Sequence, residues 1–212
     1  LFIDTHTSNG ADYPYVLTLI TTQKDKLEEP LSTWFHSEFT SLIFSDMEDG
    51  GYPLTPYVMP YKGFPEHGLV AFYDHPRYTT GYASLFAIPG YTTEAHMFKP
   101  YPERVRATRL FIESASRNLS DNHEKLAFLK KESRNNLKHK KEFAIQRTLD
   151  TTQFRNLTFQ GYTKVDIISP VTGQPSFRYD RDLSWEKEIP YYDTYKSTKT
   201  ITAPDFYIIP SA

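Results

Sequence analysis

His6 and Glu94 have the residue types and positions best suited to acid–base or metal chemistry in this 212-residue chain. His6 follows the apolar run Leu1-Phe2-Ile3, which reads as a buried strand entering a polar turn. Open α/β sheets place their sites at that carboxyl edge of a strand. Asp4 stands two residues earlier, hence on the same strand face, where it could orient the imidazole. The plainer reading of His6 is a hydrogen-bonded structural histidine. Glu94 lies inside the strand-like segment Tyr91-Thr92-Thr93-Glu94-Ala95-His96. A carboxylate there is costly unless solvated or paired. It is either a general base at the mouth of a site, with His96 toward the same face, or a polar residue of an edge strand.

Arg77 and Tyr78 lie in a polar loop after the apolar stretch Leu69 to Tyr73. An Arg fork suits a carboxylate and a Tyr hydroxyl can donate to an oxyanion; the alternative is an ordinary loop with a packed Tyr. His36, His67, His75, His123 and His139 show no helical i, i+4 metal spacing and read as structural or exposed. The basic stretch from Lys130 to Lys141 accompanies a stripe of Leu126, Leu129 and Leu137, and reads as a solvated helix face.

The elements that must position these residues follow from hydrophobic spacing. Leu1–Ile3, Tyr15–Ile20, Leu69–Tyr73 and Tyr91–Met97 read as strands. Leu31, Trp34, Phe35, Phe39, Leu42 and Ile43 recur at helical spacing, and Gly50-Gly51 stop that helix. Pro102 opens a long helix with the stripe Val105, Thr108, Ile112, Ala115 and Leu119. Asp121 with Glu124 suggests a capping box for the next helix. Strands alternating with helices predict an α/β fold with a mainly parallel sheet flanked by helices on both faces. From residue 143 short alternating segments broken by Pro170, Gly173 and Pro175 predict a β-rich region, including Phe154–Gln160, Tyr162–Ile168 and a last strand at Phe206–Pro210. The predicted organisation is thus 1–118, an α/β unit; 119–142, a connecting helix; and 143–212, a β-rich region.

A formal net charge of -2 argues against a general nucleic-acid binder. No apolar run is long enough to span a bilayer. With no Cys, disulfides, thiolate metal sites and Cys nucleophiles are excluded, so any metal must be held by His, Asp or Glu. Aromatic residues make up 16%, including 16 Tyr, a surplus that suits half-wet grooves as well as cores.

Three stretches together resemble the second half of the zinc carboxypeptidase fold: Leu1 to Gly10, Pro76 to Tyr82, and Gly90 to His96. The resemblance covers about residues 1–118, and the region after Phe143 resembles the tail of a bacterial group of large carboxypeptidase-like proteins. It implies a three-layer α/β/α arrangement and zinc-assisted hydrolysis at a peptide or amide C-terminus. On this likeness His6 is one zinc ligand and Glu94 the general base. Tyr78, Arg77, Ser8 and Asn9 are substrate-side residues. The family's other two ligands come from a His-x-x-Glu motif ahead of the third-ligand strand, and none precedes His6. The expectation is therefore a fragment, inert alone, whose partners are a peptide substrate and a missing N-terminal part of the same protein. An exposed sheet edge would favour self-association. Export is the family's habit. The alternative is a non-catalytic peptide- or glycopeptide-binding module with a degenerate carboxypeptidase fold; a β-rich scaffold is a third.

Overall fold

A computed structural model describes residues 1–209. The chain opens with β1 (Phe2–Ser8), turns at Asn9-Gly10 and returns as β2 (Leu17–Thr21). Gly10 adopts φ +111°, a conformation that favours glycine and lets the loop leave β1 sharply. A continuous helical stretch over 31–49 follows, made of α1 (Leu31–Thr33), a wide π-helical segment (Trp34–Phe39) and α2 (Thr40–Asp49). Gly50 and Gly51 end it, the latter at φ +76°. Then come β3 (Thr55–Pro56), β4 (Leu69–Val70), α3 (Thr79–Ser84) and β5 (Gly90–His96). Two long helices follow, α4 (Tyr101–Asp121) and α5 (His123–His139). The last segment contains β6 (Glu142–Leu149), β7 (Arg155–Ile168), β8 (Pro175–Tyr192) and β9 (Tyr195–Thr202).

The protein is of the mixed α/β class. Its first sheet has the order β1-β5-β2-β3, with β1 parallel to β5 and β2 parallel to β3. β2 runs antiparallel to β5, so the sheet is mixed. The cause is the short connection from β1 to β2, which reverses direction and leaves room for β5 between them. Leu17, Leu19, Tyr91 and Ala95 face the helical side and pack on Phe35, Phe39, Ile43 and Phe111 in the larger core. Tyr91 lies edge-on to Phe111 and hydrogen-bonds Thr40, 2.8 Å between oxygens.

A second core joins the two halves of the chain. Tyr13, Tyr15 and Leu69 pack with Phe159, Ile189 and Tyr191. β4 adds to β8 in parallel, Leu69 opposite Tyr191, within the sheet β4-β8-β7. The junction is also polar: Arg181 Nε donates to Asp12 Oδ2 at 2.7 Å, and Lys99 Nζ stands 3.5 Å from Asp12 Oδ1. β6 and β9 form a separate antiparallel pair.

Several expected elements differ. The strand expected over 69–73 pairs only at Leu69–Val70, because Phe72 and Tyr73 leave the ladder to pack on Tyr78 and Tyr195. The buried side of α4 is Ala107, Phe111, Ser114 and Ala115, while Val105 and Ile112 are exposed. Phe111 packs edge-on to Tyr91 from this side, and Asp46 accepts there from Ser114 Oγ at 2.6 Å and from Asn118 Nδ2 at 2.8 Å. Asp121 closes α4 rather than capping α5; Asn122 stands at the junction, with its N–H bonded to the Asn118 carbonyl. Phe154–Gln160 and Tyr162–Ile168 belong largely to one strand, β7, with an irregularity between Tyr162 and Thr163. Residues Phe206–Ile209 are exposed and form no strand, and Pro210 lies outside the described residues.

Phe159 is fully buried where the two halves meet. Replacing it with Ala is expected to cost roughly 3–5 kcal/mol in urea unfolding, the usual range for emptying a buried aromatic site.

Candidate acid–base site

β5 is buried along all seven residues. Its side chains alternate, so Tyr91 and Ala95 enter the helical core while Thr92, Glu94 and His96 face the opposite side. The β1–β5 register sets His6 directly opposite Glu94 and Asp4 opposite Thr92. Three ionisable groups therefore meet on one sheet face. His6 Nε2 is 3.1 Å from Asp4 Oδ2, and His6 Nδ1 is 3.8 Å from Glu94 Oε1. Thr79 Oγ1 donates to the same Asp4 oxygen at 2.8 Å, tying the start of α3 to the cluster.

Burial pushes the Glu94 carboxyl above its ordinary range; His6 opposes this and Asp4 adds to it. A carboxylate so held is a better proton acceptor near neutral pH than an exposed one. Tyr13 and Tyr57 stand close enough to feel the Glu94 charge, and burial pushes the Tyr13 hydroxyl up to about 12. Neither tyrosine is singled out by spacing; the surplus of Tyr is the one sequence signal that pointed toward such a wall.

The other expected residues are distributed around this face. His96 shares the Glu94 side but is fully engaged, with Nε2 3.0 Å from the Ala11 carbonyl and Nδ1 accepting from the Phe98 N–H at 3.2 Å. Burial lowers its affinity for a second proton. Ser8 is buried at the end of β1, and Asn9 is exposed in the following turn. Arg77 and Tyr78 bond each other, Nη2 to hydroxyl at 2.8 Å, at the surface of the loop before α3. Tyr78 packs edge-on to Phe72, which packs edge-on to Tyr57, so an aromatic wall runs from the loop toward Glu94.

The loop that carries Arg77 and Tyr78 is fixed from below. Asp74 is fully buried, 3.2 Å from Lys26 Nζ, and accepts from the Gln23 N–H at 3.3 Å. A Cβ on Gly81 would stand 2.0 Å from the Asp74 carbonyl oxygen, a backbone atom that cannot step aside cheaply.

Among the described residues no three His, Asp or Glu side chains are gathered to hold a metal ion. His6 faces carboxylates with both nitrogens, and His96 is engaged elsewhere. The donor set in this chain therefore does not by itself fit zinc, which needs three protein ligands at a catalytic site. A His-x-x-Glu spacing does occur at His139 and Glu142, but both are exposed at the junction of α5 and β6. The chain matches no family model, no curated protein and no solved structure.

The raised Glu94 carboxyl binds its proton more tightly folded than unfolded. Its stabilising contribution is complete below the ordinary carboxylate range and is lost as pH rises through the folded value. Glu94→Gln should accordingly gain on the parent in urea-unfolding stability between pH 4 and pH 8. By carboxyl NMR titration, His6→Ala should move the Glu94 value further up and Asp4→Asn should move it down. Gly81→Ala should cost about 3 kcal/mol, as overpacking against backbone does, and displace Tyr78, readable as loss of its ring contacts with Phe72.

Proposed function

We propose that the Asp4–His6–Glu94 face is the base-bearing half of a zinc carboxypeptidase-like site, hydrolysing a peptide or amide bond at a C-terminus. The reading includes a carboxypeptidase-like three-layer arrangement of which this chain supplies part. The observation that carries it is the direct pairing of His6 with Glu94 across parallel strands, on a face apart from the helical core. A buried carboxylate with raised proton affinity can take the proton from an attacking water and pass it to the leaving amine. Asp4 orients His6, and Arg77 with Tyr78 at the rim offers a cationic fork and a hydroxyl to the substrate carboxylate. Ser8 and Asn9 border the same end of β1. Zinc would polarise the carbonyl and activate water, but His6 alone cannot hold it, so the remaining ligands would come from a second polypeptide segment.

The outer edge of β1 pairs with no other strand among the described residues, and Thr5, His6 and Thr7 are exposed. Such an edge can accept a strand from a completing segment or from a second copy. Sedimentation should show concentration-dependent association of this chain; a monomer at all concentrations would count against an accessible edge.

The donor set also favours a second reading, a non-catalytic module that holds a peptide against the Tyr57–Phe72–Tyr78 wall. Release of C-terminal residues, assayed with zinc in the longest gene product containing this chain, separates the two. The hydrolase reading expects Glu94→Gln to lower kcat by about 10²–10⁴-fold with zinc content unchanged, and His6→Ala to lower zinc content. Peptide binding without turnover in the parent would establish the module instead.

A further inference from the structure

A cavity of about 530 Å³ opens between β2, the helical stretch over 31–49 and the open end of the β7–β8 hairpin, where Arg155 pairs with Tyr191. That volume lies within the range of small-molecule sites. Its walls are of two kinds. Ile20, Phe44, Tyr57 and Phe72 make an apolar flank. At the other side stand Lys24, Arg155 and Asp193.

The charged side is built around Asp193. Asp193 Oδ1 takes Lys24 Nζ at 2.7 Å and Asp193 Oδ2 takes Arg155 Nε at 3.1 Å, so two cations share one carboxylate. Gln23 Nε2 donates to the Asp193 carbonyl at 3.1 Å and holds that residue in place. The Arg155 guanidinium lies 4.7 Å from the centre of the Tyr191 ring. Anchored by Nε and by the ring, it keeps its two terminal nitrogens without a hydrogen-bond partner among the described residues. A planar pair of donors matches a carboxylate. His36, also in the wall, is committed to structure, with its nitrogens 2.8 Å from the Ser32 carbonyl and 2.7 Å from that of Thr22.

We propose that this cavity binds an amphiphilic carboxylate, its charged end on the Arg155 fork and Lys24 and its apolar body along Ile20, Phe44, Tyr57 and Phe72. None of the charged residues belongs to the Asp4–His6–Glu94 cluster, although the apolar flank shares Tyr57 and Phe72 with the aromatic wall beside it.

The test is equilibrium titration of the chain with 4-phenylbutyrate, with 4-phenylbutanol and with inorganic phosphate, followed by NMR. The carboxylate should bind saturably, with the alcohol and phosphate each at least about tenfold weaker, since each lacks one half of the match. Arg155→Lys, which keeps the charge and removes the fork, should weaken 4-phenylbutyrate by roughly tenfold. Ser41→Trp should abolish binding by filling the mouth while circular dichroism stays unchanged, which separates lost binding from lost folding. Equal binding of acid and alcohol, full competition by phosphate, unchanged affinity in Ser41→Trp, or no saturable binding would each overturn the proposal.

Discussion

The β1–β5 pairing is the constraint on which the arrangement rests. β5 is buried from Gly90 to His96, so its register cannot slip without moving Tyr91 out of the helical core and Glu94 into it. Tyr91 fixes that register from one side, through Phe35, Phe111 and the Thr40 hydroxyl. Glu94 is held on the other side by the same alternation. The cost of a largely desolvated carboxylate is only partly offset by an imidazole at 3.8 Å, which is why its proton affinity stays raised.

The β-rich region is bound to this frame by both apolar and ionic contacts. Phe159 and Ile189 complete a core begun by Tyr13 and Tyr15, and β8 takes β4 as a parallel neighbour. Asp12, from the loop leaving β1, meets Lys99 after β5 and Arg181 in β8, so one buried carboxylate ties three parts of the chain. Breaking one partner of such a cluster leaves charge unpaired, which makes the junction sensitive to single substitutions. Lys26 and Asp74 do the same beneath the Arg77–Tyr78 loop.

These two junctions give the sheet two different surroundings. At the β1 side, Asp4, His6 and Glu94 face a rim of exposed residues from the loop before α3. At the β2–β3 side, the cavity lies between the frame and the start of β7, with Arg155 steadied by Asp193 and Tyr191. Tyr57 and Phe72 border both.

The sequence by itself determined the classes and approximate places of the principal elements: the helix ended by Gly50-Gly51, strands at Leu17–Thr21 and Gly90–His96, and the long helix after Pro100. Local spacing and glycine or proline chemistry suffice for these. It also placed Asp4 with His6, and Glu94 with His96, on shared strand faces, because strand alternation is local. Tertiary structure decided what lies across the chain. Strand direction is set by how loops return, so only the fold made β2 antiparallel and set His6 opposite Glu94. The buried side of α4 was decided by where Phe111 meets Tyr91 of β5, with Asp46, 68 positions from Ser114, bonding the same side. Tyr13, Tyr57 and Arg155 gained their places the same way, from partners distant in sequence that no periodicity within their own segments encodes.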